Sequence, residues 1–150
     1  KALYDHNICF DPGIVAEGDW TRESGYRNTD RLLEKGVSAI FCMNDIMAGG
    51  VYDRLYEKEL VPGKDISIVG FDNRELSNYY KPALTTIELP LNHIGYKTCR
   101  IIIDMIEQNE KMKNDKGETP VQDEKEKNRG VRVEYAKCRL LVRDSVADIT

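Results

Sequence analysis

The chain has 150 residues, 41% hydrophobic and 32% charged, with a formal net charge of −4. A chain this long buries about 68–70% of its unfolded surface, enough for one real core, and its acidic balance argues against a grip on nucleic acid through phosphates. No run of roughly 18 apolar residues offers a membrane span, and the opening Lys1-Ala2-Leu3-Tyr4-Asp5-His6 lacks the apolar stretch of a secretory leader.

Residues 1–6 read as the last turns of a helix. Asp11-Pro12-Gly13 is a turn, and Ile14-Val15-Ala16 follows as a short strand that closes at Glu17-Gly18-Asp19. The spacing of Tyr26, Thr29 and Leu33 predicts a helix over 21–35, with Gly36 as its stop signal. Residues 37–43 are an apolar run and predict a second strand. Asp45 is placed to cap the next helix, which turns Ala48, Val51, Tyr52, Leu55 and Tyr56 inward and ends before Val61-Pro62-Gly63. Residues 66–71 form a third apolar strand. Strand, helix, strand, helix, strand at this spacing implies right-handed crossovers and a mainly parallel sheet in a three-layer α/β sandwich, with helices on both faces.

Beyond Pro82 the chain reads as extended through Thr85-Thr86-Ile87. A helix is predicted over 92–109 from Ile94, Thr98, Ile101, Ile102 and Met105. Residues 113–130 carry ten charges in 18 positions without periodicity, the pattern of a solvated, disordered loop. A final strand is expected over 131–142.

Cys9, Cys42, Cys99 and Cys138 stand far apart with no CxxC spacing, and Cys42 and Cys99 lie in apolar segments where a thiol acts as a small hydrophobe. Such usage points to the cytoplasm. His6 and His93, the two histidines, have no ligand spacing, so neither a metal nor a cofactor is expected.

In open parallel α/β sheets, ligands bind beyond the carboxyl ends of the strands. Here the first strand runs into Asp19-Trp20, the second into Asn44-Asp45 and the third into Asp72-Asn73. Carboxylates and a carboxamide pair with vicinal hydroxyls, and an indole packs on the C–H face of a sugar ring. Taken singly, each residue has a plainer role: Asp19 or Asp45 as a helix cap, Asn44 and Asp72 as turn residues, Trp20 as core. Their recurrence at one topological position favours a shared site. Enzymatic patterns are weak: GxSxG, GxGxxG and Walker A loops are all missing, and no lysine or hydroxyl signature joins Asp45 and Asp72 to hold magnesium. The expectation is a binding module, not an enzyme.

Gly18-Asp19-Trp20, Gly25-Tyr26, the run from Ala39 to Gly50, the run from Val61 to Asn73, Pro82-Ala83-Leu84-Thr85-Thr86-Ile87, Ile94-Gly95 and Leu141-Val142-Arg143-Asp144-Ser145 together resemble the effector domain of the lactose/galactose repressor family. The resemblance covers nearly the whole chain outside residues 113–130. It implies one lobe of a periplasmic-binding-protein-like fold, with a sugar or similar effector in a cleft between two lobes. Operator DNA would be read by an amino-terminal helix-turn-helix, so that residues 1–150 would be the carboxyl-terminal part of the effector domain, without the DNA-binding domain and most of the other lobe. By position, Trp20, Asn44 and Asp72 match effector contacts, and Leu91 falls where the family often places an apolar cleft residue. Val51, Tyr52 and Leu55, with Tyr79 and Tyr80, match surfaces used for homodimerisation. The helix over 92–109 would pack in the other lobe, and residues 113–130 are longer and more charged than the usual connection. A periplasmic sugar-binding protein of a transport system shares the fold and is the alternative.

Overall fold

The computed structural model describes residues 1–115 and 133–147. They fall into two compact units, one from Lys1–Leu89 and Arg139–Thr150, the other from Pro90–Cys138.

The first unit is built on a four-stranded sheet in the order β1 (Ala39–Phe41), β2 (Ser67–Asp72), β3 (Thr85–Glu88), β4 (Arg139–Leu141). Strands β1, β2 and β3 run parallel, and β4 closes the edge antiparallel to β3. The architecture is therefore mixed α/β with a mainly parallel sheet. A short helix α1 (Ala2–Asp5) opens the chain. Helix α2 (Arg22–Glu34) begins where the Thr21 hydroxyl accepts the Ser24 N–H at 3.1 Å, and it stops ahead of Gly36, whose φ of 70° suits a left-handed helix terminus. Helix α3 (Asp45–Glu57) follows β1 directly.

Alternation along the strands decides which face is covered. Ile40, Cys42, Ile68 and Leu84 meet Ala48, Val51, Tyr52 and Leu55 of α3 in one buried cluster, while Phe41, on the opposite side of β1, remains exposed. Within this unit α3 covers that face and α2 packs against α3. Burial pushes the Cys42 thiol up to about 12, so it stays a neutral hydrophobe. Helices α2 and α3 touch almost backbone to backbone: a Cβ added to Gly25 would overlap the Met47 carbonyl, and one added to Gly50 the Arg22 carbonyl.

Two predicted strands change. Pro12–Ile14 forms a 3-10 turn capped by Asp11, and no strand forms over 14–16. The side chains of α2 occupy the carbonyls that a ladder would use: Arg31 donates to Val15 O at 3.2 Å and Asn28 to Glu17 O at 2.7 Å. The last strand is limited to Arg139–Leu141, and residues 133–138 have no regular structure.

The second unit contains α4 (Leu91–Asp115). It runs past the predicted end at 109 because the next breaker is Gly117, and residues 110–115 are mostly good helix formers. Residues 113–115 therefore belong to the helix, and the remainder of the charged stretch over 113–130 lies outside the described residues. Leu91, Tyr96, Ile102, Ile103, Met105 and Ile106 are exposed, as is Cys99, which the sequence had suggested was a buried hydrophobe. Among the described residues no helix is long and apolar enough to cross a membrane.

Candidate functional site

The loop before α2 is fastened at both ends of Trp20. Asp19 accepts hydrogen bonds from the Thr21 N–H at 3.2 Å and from the Thr21 hydroxyl, and its own N–H donates to Ser24 Oγ at 3.2 Å. Those Thr21 contacts, then Ser24, hold the Asp19 carboxyl below its usual range. Asp19 thus braces the cap, and Thr21 is the cap itself. Trp20 between them adopts φ 68°, an uncommon left-handed conformation for a bulky residue, and its side chain is 62% exposed. It does not fill the core.

Asn44, not Asp45, is the N-cap of α3. Its Oδ1 accepts the Met47 N–H at 2.7 Å, and its Nδ2 donates to the Trp20 carbonyl at 3.1 Å. One buried carboxamide therefore starts a helix and tethers the tryptophan loop. The cap role assigned to Asp45 from sequence is corrected accordingly. Its carboxylate is fully buried, with Oδ1 accepting from the Thr86 hydroxyl at 2.6 Å and Oδ2 from the Arg74 N–H at 2.6 Å. No cation joins it among the described residues. Burial raises its pKa; the Thr86 and Arg74 hydrogen bonds oppose the rise, and the charge of Asp72 adds to it.

Asp72 ends β2 at φ 99°, and Asn73 follows at φ 51°. Around these two left-handed residues almost every polar group is engaged. The Asn73 N–H donates to Thr86 Oγ1 at 3.3 Å, its Nδ2 to Glu88 at 3.0 Å, and its Oδ1 accepts from Arg143 at 2.8 Å. Arg143 also donates to Ser77 Oγ at 3.0 Å and to the Leu84 carbonyl at 2.7 Å. Amid this network the Asp72 carboxylate makes no hydrogen bond or ion pair with any described residue. Strain of this kind persists where surroundings over-determine it, which is common at ligand sites.

Register brings the candidates together. Phe41 pairs with Val69 in parallel strands, so Asn44 and Asp72 each lie three residues beyond a paired position at the same sheet end, and Asn44 holds the Trp20 loop there. Leu91 opens α4 in the second unit and is exposed. The interface reading is corrected for three residues: Val51, Tyr52 and Leu55 are 3%, 1% and 0% exposed in the core of this single chain. They cannot face a partner without opening that core. Tyr80 is half-buried, its ring 5.0 Å from that of Tyr52 and its hydroxyl donating to the Asp45 carbonyl at 3.1 Å, whereas Tyr79 is exposed. Sequence reading missed Thr86, Arg74 and Arg143 as supports of the site. Among the described residues no group of three or more His, Cys, Asp or Glu side chains is placed to hold a metal.

Comparison with known proteins matches the chain to a family. The model of the periplasmic binding protein-like domain matches residues 1–146. The HTH-type transcriptional repressor PurR of Aliivibrio fischeri is 37% identical over 110 residues, 71% of this chain and 33% of that protein. A LacI family transcriptional regulator from Enterococcus faecium, solved with bound ribose, superposes with a TM-score of 0.73 at 26% identity over 99% of this chain and 49% of its own. The lac repressor dimer bound to operator and the anti-inducer ONPF gives a TM-score of 0.71 at 25% identity over 97% of this chain and 44% of its own. The chain spans about a third of the length of the curated relatives it matches. Its family is that of the periplasmic-binding-protein-like domain, to which the chain belongs, and the relatives it resembles there are lactose-repressor-type transcription regulators.

Proposed function

We propose that the chain is the effector-sensing part of a DNA-binding transcription regulator, taking a sugar or similar polyhydroxylated molecule at the Trp20–Asn44–Asp72 end of its sheet. One observation carries this reading: among the described residues the Asp72 carboxylate has no hydrogen-bond or ion-pair partner, inside a loop whose neighbouring polar groups are satisfied, at the same sheet end as an exposed indole. A carboxylate accepts from two hydroxyls at once, the indole covers a ring's C–H face, and Asn44 retains one N–H and one lone pair beyond those it uses. The relatives support the rest. One solved neighbour carries ribose, another is a dimer on operator DNA, and a curated relative is a helix-turn-helix repressor. Operator binding would accordingly belong to a helix-turn-helix of the intact regulator, controlled by the effector. The intact regulator would act as a homodimer, with exposed Tyr79 the remaining candidate contact from this chain. A polypeptide of this kind works in the cytoplasm, without catalysis.

The test is calorimetric titration of the intact regulator with a panel of pentoses and hexoses, beginning with D-ribose. Asp72→Ala removes hydrogen bonds to a charged acceptor worth about 1.5–3 kcal/mol, so affinity should fall roughly ten- to a hundredfold. Trp20→Ala should lose a comparable share. Unchanged affinity in both variants, each still folded by its melting curve, rejects the site.

A further inference from the structure

We infer that Asp45 is the positioning residue for Asp72: with the Thr86 hydroxyl, its carboxylate clamps the two peptide N–H groups that follow Asp72 and fixes the backbone from which Asp72 meets a ligand. The inference rests on the reading of Asp72 as a ligand contact. Its basis is a closed ring of hydrogen bonds. Asp45 Oδ2 accepts from the Arg74 N–H at 2.6 Å, Asp45 Oδ1 accepts from the Thr86 hydroxyl at 2.6 Å, and Thr86 Oγ1 accepts in turn from the Asn73 N–H at 3.3 Å. The peptide between Asn73 and Arg74 closes the circuit. Asp72 and Asn73 sit at φ 99° and 51°, a left-handed region that costs residues bearing a Cβ, though Asn and Asp less than most, and the two bonds hold the peptide groups of that turn in place.

Helix capping does not require a carboxylate there. Asn44 already caps α3, so Asp45 is free of that duty. A buried acid without a cation is unfavourable unless its hydrogen bonds serve a purpose, and its raised pKa agrees with the absence of a cation. The sheet also makes room for it: a Cβ on Gly70 would overlap Asp45 Oδ1, so β2 carries glycine where the carboxylate passes beneath. The result is a division of labour between two acids at one sheet end. Asp45 spends its lone pairs on the backbone, and Asp72 keeps its own for solvent or ligand.

Backbone NMR of the full chain tests the clamp without any ligand. In Asp45→Asn an amide nitrogen replaces one acceptor oxygen, so exchange of the Arg74 or Asn73 N–H should quicken tenfold or more, while amides of α2 and α3 keep their rates. Chemical shifts at Asp72 and Asn73 should leave the left-handed range. Thr86→Val should release the Asn73 N–H in the same way, and Thr86→Ser should restore it; this pair decides the matter if the Asp45 variant does not fold. Exchange at both positions that stays unchanged, or that rises in step with all other amides, overturns the inference. A second arm uses D-ribose, or the first pentose or hexose that binds the intact regulator. Asp45→Asn should weaken binding about tenfold in the wild-type background and add nothing to Asp72→Ala, since its effect passes through Asp72. Additive losses in the double variant overturn the inference as well. If no sugar of the panel binds the wild type, it is the sugar reading that fails, and the exchange rates still decide the clamp.

Discussion

Two polar regions of the first unit handle carboxylates in opposite ways. Along the outer seam between α2 and α3, Asp30, Asp53 and Glu57 each have a cation: Arg22 grips Asp53 with bonds of 2.6 and 2.7 Å, Arg54 bridges Asp30 and Glu57, Lys58 reaches Asp30 at 2.8 Å, and Tyr26 donates to Glu57 at 2.6 Å. Arg54, then Lys58, hold Asp30 down at about 2. At the carboxyl ends of β1 and β2 the pattern reverses. Among the described residues Asp45 is buried with no cation, and the Asp72 carboxylate has no hydrogen-bond or ion-pair partner. Charges that serve only the fold can be paired wherever solvent allows. A pair of acids with no cation among the described residues, one of them on a left-handed backbone, is an arrangement that stability alone would not favour.

If the seam owes its strength to close helix contact and only secondarily to its charges, the largest effect must come from a glycine. Gly50→Ala puts a Cβ against the Arg22 carbonyl, a backbone atom that cannot swing aside. It should cost about 3 kcal/mol or more by chemical denaturation. Arg54→Ala, which removes the centre of the partly exposed ion network, should cost clearly less than that. Equal losses would mean that the seam is electrostatic after all, and the contrast with the strand ends would fail.

Within the strand-end region, Asn44 and Asp72 separate an engaged side chain from a free one. Asn44→Ala loses a helix cap and the tether to Trp20, so it should lower stability by about 1–2 kcal/mol. Asp72→Ala breaks no side-chain hydrogen bond or ion pair with a described residue and should stay within about 0.5 kcal/mol of wild type. Equilibrium urea unfolding of both variants checks the ranking. A large loss for Asp72→Ala would make it a structural acid like those of the seam.

Much of this contrast is legible in the sequence, and the illegible part has definite physical causes. Apolar runs that stop at Asn44-Asp45 and Asp72-Asn73 mark the strand ends, because a buried parallel strand is apolar on both faces and polar where it emerges. Which of Asn44 and Asp45 caps α3 is not marked, since either side chain can do it. The clamp is invisible for another reason: Asp45 meets Arg74 and Thr86 across separations of 29 and 41 residues, and no local pattern encodes such a meeting. The stripe of Val51, Tyr52 and Leu55 reads as inward-facing, while the resemblance implies an interface, and the spacing alone does not choose because it is the same whether a sheet or a second subunit covers it. Here Leu84 and Ile68 cover it. The strand expected at 14–16 fails for a similar reason, as its carbonyls go to Arg31 and Asn28 of a neighbouring helix.

The smallest effect, and the one that separates the two regions most cleanly, is their opposite response to acid. Asp30 has its folded pKa lowered from 3.8 to about 2 by Arg54 and Lys58, so its contribution to stability is present above the unfolded value and is lost as pH falls through about 2. The shift belongs to a partly exposed group and is screened by solvent, so the loss should be slight and should shrink further in salt. Asp45 has its folded pKa raised by burial, so the folded chain binds a proton there more tightly than the unfolded chain does. Its favourable contribution is therefore present at and below the unfolded value and is lost as pH rises through the folded one. Denaturation midpoints of wild type, Asp30→Asn and Asp45→Asn across acid to neutral pH should show two trends of opposite sign. The advantage of wild type over Asp30→Asn should narrow as pH drops below about 4, the window set by the two Asp30 values. The advantage of wild type over Asp45→Asn should widen as pH drops from neutral towards that same point, because protonation favours the folded wild type and has no counterpart in the variant. Parallel trends in the two variants would show that Asp45 is paired in solution like any acid of the seam.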